Sequence, residues 1–288
     1  MFAGVIVALI ATEAFIKVSN IKKLQVNLGD NVPPAVGKSF NVLIPVIIVV
    51  SLFALVSAAL FNITGTNIIN LITTFIQEPL RHIGTGLWGC IILYSLGNML
   101  WLFGIHQSVI YSSILEPLLI INITENIAAY SAGEAIPNII NVSQVTTYGL
   151  MGGSGSTICL LIATFLVGKN AMTKNVAKMS VAPGIFNINE PVTFGLPIVM
   201  NPIMGIPFMI APVVTSAFGY FMTSIGFCGK MVVNAPWTTP PGLMAFMASG
   251  GSFGAVITQI LAVLISFLIY TPFVLISNKQ AEQENSAE

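Results

Sequence analysis

The chain has 288 residues, of which 55% are hydrophobic and 7% charged, with ten basic and ten acidic side chains that leave no net charge. Its mean hydropathy is +0.91, far from a soluble domain with roughly 25% charged residues, so composition excludes such a domain and predicts an all-α polytopic membrane protein. The lack of any basic run longer than Lys22-Lys23 excludes a nucleic-acid partner.

Residues 1 to 18 begin in an apolar run with no charged n-region or small-residue cleavage site, so they read as a helix rather than a signal peptide. The loop that follows carries Lys17, Lys22, Lys23 and Lys38 against Asp30, which predicts a cytoplasmic side. Asn41 to Phe61 is a clear span, since about 20 apolar residues cross a bilayer. From Asn67 to Ile83 the apolar positions recur at helical spacing, while Gln77, Glu78, Arg81 and His82 gather at one end. That pattern fits an amphipathic helix lying in the membrane interface. Gly86 to Ile105 reads as another span, followed at once by His106, and Gln107 to Ile121 is an apolar run interrupted by Glu116-Pro117.

A second lysine-rich loop, Lys169 to Lys178, is also expected to be cytoplasmic. That parity makes Gln107–Ile121 a crossing, with Asn122–Gln144 external and Tyr148–Gly168 returning. Ile203–Phe227 and Leu243–Ile276 are the last spans, leaving the polar tail from Asn278 inside. The count is about seven transmembrane helices, with the interfacial helix and two re-entrant hairpins.

The hairpins are the chemically informative part. Val181 to Pro202 contains Pro183, Pro191, Pro197 and Pro202, each of which removes a backbone donor. Broken backbone survives at membrane depth only inside protein or beside water. Glu190, flanked by Asn187, Asn189 and Pro191, is an acid in that apolar setting and therefore a candidate site residue. A carboxylate with two amides and free helix ends suits a neutral polyhydroxyl ligand. Cys228 to Gly242, which holds Trp237, is the second broken segment. Trp101 and Trp237 are candidates to stack on sugar faces, and His106, five residues from Trp101 around Gly104, reads equally as a ligand or a structural residue. Trp88 and His82 fit the membrane interface. Met151-Gly-Gly-Ser-Gly-Ser-Thr157 lacks the Lys and the preceding strand of a phosphate cradle and reads as close helix packing. Cys90, Cys159 and Cys228 have no metal-ligand spacing and read as packing residues. No cofactor motif is found.

The segments GIFNINEPVTFGLPIVMNP, LQVNLGDNVPPAVGKSF, GNMLWLFGIHQ, MGGSGST and VNAPWTTPPG together resemble the membrane subunit, enzyme IIC, of bacterial phosphotransferase-system sugar permeases of the lactose/cellobiose/diacetylchitobiose class. The resemblance runs over nearly the whole chain. It implies a homodimer in the bacterial plasma membrane that binds a β-linked disaccharide, moves it by an elevator-like motion and presents its 6-hydroxyl to the phosphocysteine of a separate IIB protein. It further implies that Glu190 and His106 hydrogen-bond the sugar near that hydroxyl, that Trp101 and Trp237 pack on its rings, and that Asn189 contributes. By this likeness residues 1–65 are a remnant of an oligomerisation domain, 66–85 the interfacial helix, 86–277 the substrate-binding domain and 278–288 a cytoplasmic tail. Members of the family carry further N-terminal helices, so the chain reads as N-terminally truncated, with dimerisation expected once those helices are supplied. The alternatives from other classes are an ion-coupled secondary transporter and an inactive membrane fragment.

Overall fold

A computed structural model describes residues 2–24, 34–196 and 198–287. Asp30 with its flanking loop, and Pro197, therefore lie outside the described residues. Every regular element among the described residues is helical: α1 (Phe2–Ser19), α2 (Pro34–Thr64), α3 (Ile68–Ile72) and α4 (Glu78–Gly84) joined by a π turn, α5 (Leu87–Trp101), α6 (Glu116–Ala132), α7 (Val142–Gly149), α8 (Thr157–Val167), α9 (Ala171–Ile185), α10 (Glu190–Gly195), α11 (Pro202–Ser224), α12 (Leu243–Ala248) and α13 (Phe253–Ala287). Five helical stretches are long and apolar enough to cross a membrane: Ser39–Thr64, Gln107–Ala132, Val142–Val167, Pro202–Ser224 and Phe253–Gln283. A sixth is reached if Ile68–Gly84 and Leu87–Trp101 form one broken span, against the seven expected.

The chain divides into two compact units, Met1–Arg81 and His82–Glu288. In the first, α1 packs along α2, and Leu55, Ile47 and Val50 of α2 remain exposed. Apolar side chains in such a continuous row are at ease only against lipid or another apolar surface. In the second, α11 packs on α13, α5 and α7, and α13 packs on α8. Their shared core is built around Trp101, Phe208, Leu160, Ile198 and Tyr270.

Several sequence expectations are corrected. Pro183 does not end a helix but sits inside α9, and the break follows it, at Phe186–Asn189. Pro191 and Pro202 each stand in the first turn of a helix, where a missing N–H is harmless. The lysine segment 169–178 is mostly helix rather than loop, because Asn170 caps α9 by accepting the N–H groups of Met172 and Thr173. α6 runs on to Ala132, so the expected external loop shrinks to the stretch after Gly133, which ends the helix in a left-handed turn. The polar tail continues α13 to Ala287. It is anchored there by Asn278, which donates to Val167 O at 2.9 Å and accepts Lys169 N–H at 2.9 Å, and by the Lys169–Glu282 pair at 3.1 Å. The expected long last span from Leu243 is split by Ser249–Ser252 into α12 and α13.

Broken backbone leaves peptide groups without helical partners, and in an apolar interior each one needs a substitute. Buried amide side chains supply it. Asn126 donates to Asn138 O at 2.7 Å and Met231 O at 2.8 Å and accepts Asn138 N–H at 2.9 Å. Asn122 donates to Ile140 O at 2.7 Å; Gln144 of α7, by contrast, donates to Ser216 O within α11 at 3.1 Å and ties those two helices together. Gln259 of α13 donates to Thr147 O and accepts Gly242 N–H, tying the end of α7 to the second broken segment.

Candidate functional site

Three interrupted stretches meet the loop that ends α5 around a cavity of about 490 Å³. That volume lies within the range of roughly 300–1,000 Å³ usual for small-molecule sites. α5 stops at Trp101 because Gly104 adopts φ +74°, a left-handed turn that suits glycine, and Ile105 N–H bonds back to Leu100 O at 3.0 Å. The reversal brings His106 to the N-cap of a one-turn 3-10 helix on the cavity wall.

Glu190 and Trp237 line the same cavity. Glu190 opens α10, and among the described residues no cation pairs with it. The expectation of a buried acid is corrected: the residue is exposed, facing the open cavity rather than a closed core. Trp237 stands on the irregular second broken segment and is 54% exposed on the cavity wall.

Trp101 is placed differently from the expectation that it lines the cavity. It is 2% exposed and absent from the wall, lying against the His106 ring at 4.7 Å between centroids and against Phe194 of α10 at 5.6 Å. The helix does end where the spacing required, but only His106 reaches the opening. Trp101 thus backs His106 and touches the short helix that begins with Glu190.

The sequence predicts that the two asparagines offer amides to the ligand, whereas the geometry assigns most of their capacity to the backbone. Asn187, at φ +64°, accepts Gly152 N–H at 2.8 Å through Oδ1, while Nδ2 donates to Trp237 O at 2.6 Å and Thr239 O at 3.1 Å. It joins all three broken stretches. Asn189 donates to Ser154 O at 2.8 Å, leaving its Oδ1 without a described partner at the cavity edge. The MGGSGST segment is correspondingly more than a helix-packing surface. It separates α7 from α8, and Gly153 is required because a Cβ there would come within 2.6 Å of Asn189 Cβ.

Glu116 reads in the sequence as a mere interruption and nothing there marks Ser108, Ser112, Tyr111, Thr146 or Asn234, yet all six line the cavity. Glu116 carried a usable signal, an acid within an apolar run; the hydroxyls carried none. The resulting wall offers two carboxylates, an imidazole, an indole, amides and hydroxyls, with no Lys or Arg among the described lining residues. Such a surface both donates and accepts hydrogen bonds without offering a counter-charge to an anion. Among the described residues no group of His, Cys, Asp or Glu is arranged to hold a metal ion.

The phosphotransferase system EIIC family matches residues 1–212. The chain is 36% identical to the oligo-beta-mannoside-specific EIIC component of Bacillus subtilis (strain 168), covering 100% of this chain and 67% of that protein. It is 33% identical to the cellobiose-specific EIIC component of Lactococcus lactis subsp. lactis (strain IL1403), over 98% of this chain and 61% of that one. In three dimensions it resembles the crystal structure of the transporter ChbC, the IIC component from the N,N'-diacetylchitobiose-specific phosphotransferase system, with a TM-score of 0.91 and 37% identity over 100% of this chain and 66% of that one. The chain thus spans about two thirds of the length of these relatives.

Proposed function

Because the chain belongs to the phosphotransferase system EIIC family, we propose that it is a sugar-translocating membrane subunit that binds a β-linked disaccharide and presents its 6-hydroxyl to a phosphorylated IIB protein. The sugar is of the cellobiose, chitobiose or lactose type, in keeping with the cellobiose and diacetylchitobiose named for two of its relatives. The observation that carries this reading is the unpaired Glu190 on the same cavity wall as His106 and Trp237. An aromatic plate meets the apolar face of a pyranose, and a carboxylate with an imidazole holds a hydroxyl. Two carboxylates and no lining cation favour a neutral sugar over its phosphate, so the product is held less well than the substrate.

In this reading residues 86–277 form the substrate-binding domain, 66–85 an interfacial helix, 1–65 part of an oligomerisation domain and 278–288 a cytoplasmic end in the bacterial plasma membrane. It acts there as a homodimer. The IIB protein carries the phosphocysteine. Glu190 accepts or orients the 6-hydroxyl proton as the phosphoryl group arrives, a contribution of about 10²- to 10⁴-fold in rate. His106 hydrogen-bonds the same region of the sugar, Trp237 packs on a ring, Asn189 offers Oδ1, and Trp101 supports the ring of His106 from behind.

The test is Glu190→Gln in membranes supplied with the phosphoryl donor chain and labelled cellobiose or diacetylchitobiose. Phosphorylation is expected to fall by at least about 10²-fold, with disaccharide binding reduced far less. Unchanged turnover removes Glu190 from the chemistry. Uptake driven by an ion gradient without a phosphoryl donor replaces the whole reading with secondary transport.

A further inference from the structure

The hydrogen bonds around His106 determine which of its ring nitrogens carries the proton. Nδ1 accepts the backbone N–H of Ser108 at 3.1 Å and lies 2.8 Å from Ser108 Oγ. A peptide N–H can only donate, so the first contact fixes Nδ1 as a lone-pair acceptor. A neutral imidazole has one N–H and one lone pair, which puts the proton on Nε2. Ser108 O–H then donates to Nδ1 as well.

We infer that Ser108 is a positioning residue that locks neutral His106 in its Nε2–H tautomer, so that His106 meets a sugar hydroxyl as a hydrogen-bond donor and leaves proton acceptance to Glu190. This rests on the reading of the cavity as a disaccharide site. The two roles are complementary. A sugar hydroxyl that accepts from Nε2–H keeps its own hydrogen free to point at a carboxylate, which is the orientation needed for its oxygen to attack phosphorus while the proton leaves. A histidine of the other tautomer would compete with Glu190 for that hydrogen. Rotation of the ring is restrained by the Trp101 indole at 4.7 Å, itself wedged against Phe194. Ser108 can do this because it is two residues beyond His106, within the 3-10 turn Gln107–Val109 that the histidine caps. The same side chain–backbone contact therefore starts the 3-10 turn and selects the tautomer.

The experiment uses the full chain in lipid nanodiscs with ¹⁵N-labelled histidine at neutral pH. His82 and His106 account for all the signals, and a His82→Gln variant assigns them. The Nε2–H pattern is expected for His106 in the wild type and in Ser108→Gly, which keeps the backbone donor. Ser108→Pro, which deletes it, is expected to give a mixture of tautomers and to weaken cellobiose or diacetylchitobiose binding about 3- to 10-fold, the worth of one misdirected hydrogen bond. An Nδ1–H pattern in the wild type overturns the inference without recourse to any variant, as does an unchanged pattern in Ser108→Pro. Absence of disaccharide binding to a wild type that shows the Nε2–H pattern refutes the assignment of the cavity and leaves the tautomer standing, so the two failures are distinct.

Discussion

Replacing Asn187 tests whether the site is held together by backbone-directed amides. Its side chain, 5% exposed, makes three hydrogen bonds, to Gly152 N, Trp237 O and Thr239 O. At about 0.5–1.5 kcal/mol net for each bond, Asn187→Ala loses roughly 1.5–4.5 kcal/mol. The left-handed backbone at φ +64° adds about 1 kcal/mol for a residue with no local side-chain hydrogen bond. Asn187→Asp is isosteric and still accepts from Gly152. It nevertheless turns an oxygen toward two carbonyl oxygens in place of the amino group, so a near-perfect shape match is expected to be the worse substitution. The order of melting midpoint in detergent should therefore be wild type, then Ala, then Asp. Diacetylchitobiose affinity should follow the same order, because the Trp237 loop loses its tether. An Asp variant that melts and binds like the wild type would refute the claim that the Nδ2 contacts hold the broken stretches together.

Two further perturbations follow from the same geometry. Gly153→Ala places a Cβ 2.6 Å from Asn189 Cβ at φ +100°, so it should cost about 2–4 kcal/mol through overpacking and backbone strain and weaken disaccharide binding by displacing Asn189; wild-type binding and melting would contradict the contact. Asn278→Leu removes the two bonds that close the α8–α9 link, 7% exposed, and should lower stability by about 1–3 kcal/mol while leaving sugar affinity unchanged, as measured by melting and calorimetry.

The residues legible in the sequence are those that contradict their surroundings. Glu190 stood out because an acid in a proline-broken apolar stretch violates the local pattern, and Trp237 because it lies within NAPWTTPPG. Both line the cavity. Glu116 had the same kind of signal but looked like punctuation, since Pro117 follows it in what became the first turn of α6. Trp101 was misplaced because spacing along the chain says that it neighbours His106 without saying which of the two faces the opening. The prolines misled at position 183, where tertiary packing tolerates a helix-interior proline that local rules penalise.

Composition and the length of the apolar runs decided that the chain is a helical membrane protein, because a continuous apolar run of about 20 residues crosses lipid only as a helix that satisfies its own backbone. Only the fold decided what the asparagines do. A side-chain amide is equally able to bind a sugar or a stranded peptide group, and the choice is made by partners far away in sequence, such as Trp237 O, fifty residues from Asn187. Nothing in the local run NINEP encodes that contact.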